Sequence, residues 1–216
     1  MTISLRIETV VSAPFSQNAF VVWRPGTIEA LVFDPGFDPE SIIDIVDRES
    51  LKPVAIVNTH GHADHIAGNA TLLARFPAIP LVIGRNEAHL LTDPQANLSA
   101  QYGLPIISPK ADILVDDGQR LELGGIEFLV KEIPGHSPGS VIFIADQVSP
   151  VVVFVGDVIF AGSVGRCDFP GGSAKKLISG IKQKLFNLPD ETLLYSGHGP
   201  VTTIGEEKAS NPYCQS

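Results

Sequence analysis

Short apolar runs bounded by Gly, Pro and Asp recur along the chain: Phe20 to Trp23, Ala30 to Phe33, Val54 to Val57, Leu81 to Ile83, Val141 to Ile144, Val151 to Val155 and Leu193 to Tyr195. Runs this short between turn formers read as strands. Between some of them the apolar spacing is helical. Pro39 to Arg48 sets Ile42, Ile43 and Val46 on one face, Ile66 to Phe76 follows the same period, and Ala174 to Phe186 aligns Leu177, Ile178, Ile181 and Leu185. Ile113 to Val130, punctuated by Asp117-Gly118 and Gly124-Gly125, reads as a β-meander without helices. The class is therefore mixed α/β, which suits two packed sheets flanked by helices and leaves the topology open.

Composition sharpens this picture. With 216 residues, 44% hydrophobic and 18% charged, the chain can build a proper core, and we expect a single domain. The N-terminal Met1-Thr2-Ile3-Ser4-Leu5-Arg6 lacks a basic stretch leading into an apolar segment, and no apolar run reaches the ~18 residues of a spanning helix. Cys167 and Cys214 stand in unrelated contexts and read as free thiols. A cytoplasmic protein with no membrane partner is expected. The net charge of −9 and the lack of a basic run interleaved with aromatics argue against nucleic acid.

The chemistry is concentrated in Thr59-His60-Gly61-His62-Ala63-Asp64-His65, directly after the run Val54 to Val57. Three of the six histidines fall there, and chance placement would produce the pattern in only about three chains in ten thousand by simple counting. Neutral imidazoles and a carboxylate suit zinc and similar metals, and a strand-to-helix turn can aim them into one pocket. Three more ligand-type residues sit just past strand-like runs: His136 in Pro134-Gly135-His136-Ser137, Asp157 after Gly156, and His198 in Ser196-Gly197-His198-Gly199. Each has an ordinary alternative taken singly. Asp64 could cap a helix starting near Ile66, Asp157 could be a turn residue, and His136 and His198 could be surface histidines. The joint arrangement favours a metal site. His89, in the helical-looking Asn86 to Leu91, has no ligand neighbours and is left out, and Cys167 reads as a bystander.

Taken together, Thr-His-Gly-His-Ala-Asp-His, Pro-Gly-His-Ser-Pro-Gly, Gly-Asp-Val-Ile-Phe and Ser-Gly-His-Gly-Pro resemble the metallo-β-lactamase superfamily over about residues 18 to 200. The segment Gly165-Arg166-Cys167-Asp168-Phe169-Pro170-Gly171-Gly172 after Asp157 further resembles the glyoxalase II group. The resemblance implies an αββα sandwich with the site at one edge of the sheets. It assigns His60, His62 and His136 to one metal, Asp64, His65 and His198 to a second, and Asp157 to both. Two divalent ions follow, zinc foremost, with iron or manganese accepted by the same ligands. Asp64 and Asp157 would then be catalytic as well as ligating, with a metal-bound hydroxide as the nucleophile.

The substrate implied is a small-molecule thioester such as S-lactoylglutathione, giving a hydroxy acid and glutathione. Arg166 occupies the position of a basic residue that contacts glutathione, with an ion pair to Asp168 as its ordinary alternative. Asp168 departs from the aromatic residue of the long enzymes, and the 18 residues after His198 leave no room for their helical C-terminal domain, so the match is to the short, single-domain members. A single-iron persulfide dioxygenase, a lactonase or β-lactamase, and a non-catalytic metal-binding module are the alternatives. His65 and His198, available for a second metal, weigh toward hydrolysis.

Overall fold

The computed structural model describes residues 4–215. Its first sheet runs, in spatial order, β1 (Arg6–Ser12), β2 (Gln17–Trp23), β3 (Glu29–Phe33), β4 (Lys52–Asn58), β5 (Leu81–Gly84) and β6 (Ile113–Val115). The first three strands pair antiparallel and the last four parallel. β7 (Arg120–Leu123), β8 (Ile126–Glu132), β9 (Val141–Ala145), β10 (Val152–Gly156), β13 (Leu193–Ser196) and β14 (Thr202–Thr203) make the second sheet. There β10 and β13 are the parallel pair. A small hairpin, β11 (Ile159–Phe160) with β12 (Ser163–Val164), stands apart.

The parallel connections carry helices. α1 (Pro39–Arg48) crosses from β3 to β4, starting where the Asp38 side chain accepts from Ser41 N at 3.2 Å and Pro39 occupies the first turn. α2 (Ala63–Ile66) and α3 (Asn69–Arg75) link β4 to β5, α4 (Ala174–Gly180) precedes β13, and α5 (Ile204–Ser210) follows β14.

Alternation along the strands sorts side chains into three apolar layers. Phe20, Val22, Phe33 and Val57 of the first sheet meet Phe128, Phe143 and Phe154 of the second, and Phe33 stacks on Phe154 with centroids 4.0 Å apart. Val21, Val32, Ile56 and Ile83 face outward onto Ile42, Ile45 and Leu72 of the helices. On the far side Ile142, Val153 and Val155 pack against Leu177, Ile181 and Ile204. Both faces of each sheet are covered, which is why the central strands read as unbroken apolar runs. This is the αββα sandwich.

The structure amends several expectations. The helix expected over Ile66 to Phe76 is two, because the chain breaks at Gly68, whose N–H leaves the helical ladder for Pro35 O at 2.9 Å. Ile113 to Val130 is not one meander: β6 joins the first sheet beside β5, and only β7 and β8 form a hairpin in the second. The Ala174 to Phe186 helix is continuous but closes in a wide π turn over Ile181–Leu185. β1 and β14 carried no apolar signal, being half exposed and two residues long respectively. Among the described residues no helix is long and apolar enough to cross a membrane.

Candidate metal centre

All seven expected ligands converge at one edge of the sandwich. His60 and His62 lie on the turn after β4, Asp64 and His65 on α2, His136 after β8, Asp157 after β10 and His198 after β13. Asp64 is inside the first turn of α2 with His62 at the N-cap, so the capping alternative does not hold. His89 is exposed and apart from the group.

Donor spacing suits two metals. The donor sets are His60, His62 and His136; His60, His65 and Asp157; and Asp64, His65 and His198, each with ligand atoms within 4.8 Å of one another. His62 Nδ1 lies 2.9 Å from His136 Nε2, and His136 Nε2 3.4 Å from Asp157 Oδ2. His65 Nε2 is 3.3 Å from Asp157 Oδ1, and His198 Nε2 3.3 Å from Asp64 Oδ2. Donors held at 2.0–2.2 Å in a tetrahedron stand about 3.3–3.6 Å apart, so the three spacings of 3.3–3.4 Å fit, while His62 and His136 stand closer than that. Asp157 lies between the groups, its Oδ1 near His65 and its Oδ2 near both His136 and, at 3.6 Å, His198.

Buried lone pairs make the same point. His60 Nε2, His65 Nε2 and Asp157 Oδ1 are buried without a hydrogen-bond partner. Unsatisfied polar atoms of this kind are costly unless something coordinates them. Burial, then the neighbouring imidazoles, holds the His60 pKa well below its usual value, while burial brings His62 down to about 3 and also lowers His136. These three rings are neutral and free to ligate. His65 differs: burial opposes its charge, but Asp157, Asp64 and Asp34 together raise its pKa well above normal. Burial likewise opposes ionisation of Asp157, but His65, His136 and His60 together outweigh it and hold the carboxyl pKa well below its usual value. A cation is what this cluster of carboxylates is arranged to receive.

A set of further contacts, most of them to residues without a sequence motif, surrounds the candidate ligands. His60 Nδ1 is 3.1 Å from Thr59 Oγ1 and His136 Nδ1 is 2.9 Å from Arg166 O, which directs Nε2 of each ring toward the site. Asp34, at φ 46°, accepts from Thr59 N and Thr59 Oγ1 at 2.7 Å each, and its Oδ2 lies 3.1 Å from His65 Nδ1. Asn18 anchors the His198 loop by donating to Ser196 O at 2.9 Å and Gly199 O at 2.8 Å. Buried Glu87 accepts from Gly61 N at 2.9 Å and Ser137 Oγ at 2.8 Å. No local motif flags Glu87, although an isolated acidic residue in an otherwise apolar helical face is the trace it leaves.

A cavity of about 370 Å³ opens onto the centre, walled by Phe15, Tyr102, Phe160 and Phe169. His60 and His65 are fully buried beneath it, the side chains of Asp64 and His198 are 19% and 28% exposed, and His62, His136 and Asp157 also line the cavity. Arg166 stands at the rim, ion-paired with Asp168 at 2.8 Å and stacked over Phe169. The Cys167 thiol donates to Gly165 O at 3.3 Å, and burial pushes its pKa up.

Comparison with known proteins agrees with this geometry. The family model of the metallo-beta-lactamase superfamily matches residues 12–198. The chain is 35% identical to the hydroxyacylglutathione hydrolase GloC of Haemophilus influenzae, covering 98% of this chain and 99% of that one. The crystal structure of the B3 metallo-beta-lactamase BLEG-1 superposes with a TM-score of 0.93 at 39% identity, covering 98% of this chain and all of that one (100%). A di-iron-bound form of TTHA1623 superposes with a TM-score of 0.82 at 36% identity, covering 95% and 99% respectively. Sandwich, ligand order and near-complete coverage agree: the chain belongs to the metallo-beta-lactamase superfamily and is a metal-dependent hydrolase.

Proposed function

We propose that this hydrolase is binuclear and cleaves a small-molecule thioester, with S-lactoylglutathione as the leading candidate, releasing a hydroxy acid and glutathione. The observation that carries the reading is the pair of donor sets joined through Asp157, set in a chain similar to a hydroxyacylglutathione hydrolase across nearly its whole length. His60, His62 and His136 would hold one ion, Asp64, His65 and His198 the other, and Asp157 both. Zinc is the first expectation, and the di-iron form of a 36% identical neighbour supports iron as an alternative occupant. When bound, such ions lower the pKa of water and polarise a carbonyl.

The chain's own residues supply the rest. Asp157 and Asp64 enter as carboxylates, and both act in catalysis by holding the ions at the face the substrate reaches. Phe160 and Phe169 wall the cavity beside His198 and His62, with ring centroids 5.8 and 5.3 Å from those imidazoles, and limit water around the acyl group. Arg166 at the rim offers a cation to a carboxylate of the thiol portion. A thiol leaves readily as thiolate, so a site lacking a dedicated acid suits a thioester better than an amide. Cys167 and Cys214 are both free, which supports a reducing, cytoplasmic setting.

The decisive experiment follows loss of thioester absorbance from S-D-lactoylglutathione with metal-quantified protein, beside Asp157→Ala. Turnover that scales with bound metal and collapses in the variant supports the reading. Two bound metals without turnover would redirect it to lactones or other thioesters. A single iron with oxygen uptake on a persulfide would replace it with the dioxygenase, for which Asp64 and His198 have no second ion to hold.

A further inference from the structure

The segment that follows β5, a 3₁₀ helix over Arg85–Thr92, lies against two of the ligand-bearing loops at once. It reaches both because each loop presents a glycine: a Cβ on Gly61 would overlap Leu90, and a Cβ on Gly139 would overlap Asn86. Between these contacts points the side chain of Glu87, with no exposed surface.

We propose that Glu87 is the positioning residue of the three-histidine site, a clasp whose carboxylate fixes the distance between the His60–His62 turn and the His136 loop. Oε2 accepts from Gly61 N at 2.9 Å on the first loop, and Oε1 accepts from Ser137 Oγ at 2.8 Å and Gly139 N at 2.5 Å on the second. Ser137 also shares its hydroxyl with Ser140, which leaves Glu87 in a closed network. The two loops meet elsewhere, where Val141 N donates to Thr59 O at 2.9 Å. That contact is one residue from His60 but five from His136, whereas the clasp touches the immediate neighbours of His60, His62 and His136 alike.

The clasp is selective by position. His65 and the His198 loop are held instead through Asp34, Asn58 and Asn18, and none of those bonds involves Glu87. A carboxylate accepts from both loops, whereas an amide has one acceptor and would set an N–H against Gly139 N or Gly61 N. Losing a partner that orients metal ligands typically lowers affinity about 10–100-fold. The effect falls on one ion of the pair.

This inference rests on the two-metal reading, and cadmium-113 NMR separates the two. Wild-type protein titrated with cadmium should give two resonances, and His136→Ala identifies the one belonging to the three-histidine site. In Glu87→Gln that resonance should fill only at about 10–100-fold higher cadmium, with the second filling as in wild type. Both resonances filling as in wild type overturns the clasp, and both weakening together with a fallen Tm reduces Glu87 to a general structural residue. If wild-type protein shows fewer than two resonances the binuclear reading fails, while the shift of a single three-histidine resonance still tests the clasp. Should Glu87→Gln not fold, Ser137→Ala, which removes one bond to Oε1, must move the same resonance by a smaller factor or the proposal falls.

Discussion

The Arg166 guanidinium lies over the ring of Phe169, 4.5 Å from its centroid, and that same ring meets His62 and His136 edge to face at 5.3 and 5.8 Å. One aromatic side chain thus connects the exposed cation at the rim with two ligands of the centre. The guanidinium is paired with Asp168 at 2.8 Å while the Arg166 backbone carbonyl lies 2.9 Å from His136 Nδ1, so in the proposed reaction the side chain would meet the substrate's charge rather than the reacting atoms. Arg166→Ala should raise KM about 3–10-fold, as the loss of an exposed charge contact does, and leave kcat within about twofold. Arg166→Lys should restore little, because an ammonium does not stack as the planar guanidinium does. Steady-state kinetics on the thioester decide it, and an equal fall in kcat and kcat/KM would place Arg166 in the chemistry instead.

Asp157 and Asp64 should differ in metal stoichiometry. Both oxygens of Asp157 face donor groups, His65 at 3.3 Å on one side and His136 at 3.4 Å on the other, whereas Asp64 approaches only His65 and His198. Asp157→Ala should disturb both ions and lower kcat by about a thousandfold or more, while Asp64→Ala should lose one ion and retain the three-histidine site. Metal analysis by atomic emission after gel filtration tests this. Equal losses in the two variants would deny Asp157 its bridging position.

Gly197 is the second constraint on that carboxylate. A Cβ there would run into Asp157 Oδ1 and stand 2.6 Å from His65 Cε1. Since backbone bonds fix Gly197 from both sides, Asn18 N donating to its carbonyl at 2.7 Å and its own N–H donating to Gly156 O at 2.8 Å, the carboxylate and imidazole must yield. Gly197→Ala should therefore cost metal affinity at least tenfold while Tm of the metal-free protein moves little. A Tm drop with unchanged metal binding would show that the loop, not the site, absorbs the methyl.

The candidate ligands were legible as a group because their signal is local. His60, His62, Asp64 and His65 fall within six positions, and His136, Asp157 and His198 each follow an apolar run that became a strand. The residues that orient them left no such trace. Asp34 stands in an Asp-Pro-Gly that reads as a turn, and its bond to Thr59 spans 25 residues. Glu87 meets Gly61 and Ser137 across 26 and 50 residues. The same physics explains the fold: α1 carries its own cap and period and was read to the residue, whereas β6 chose its sheet by pairing with β5, about thirty residues away, which no local pattern encodes. β1, with only Val10 and Ser12 buried, lacks the apolar run that marks a covered strand.

The charge arrangement predicts opposite pH behaviour for stripped and loaded protein. Burial opposes a proton on His65, but Asp157, Asp64 and Asp34 outweigh it and raise the pKa well above 6.5. A group whose folded pKa is raised contributes stability that is full below its unfolded value, near 6.5, and lost as pH climbs toward the folded value. Metal-stripped protein should thus weaken above pH 6.5, by about 1.4 kcal/mol per pH unit for His65 alone. Burial lowers His60, His62 and His136, so in these three the folded state resists protonation and stability is lost as pH falls below 6.5. The stripped protein should then have its highest Tm near pH 6.5. In loaded protein the ion takes the place of the His65 proton, so Tm should hold or rise toward pH 8.5 and the gap between the two forms should widen. Thermal melts of both forms from pH 5.5 to 9 read this directly, and a stripped protein more stable at pH 8.5 than at 6.5 would mean that the carboxylates around His65 do not govern its proton.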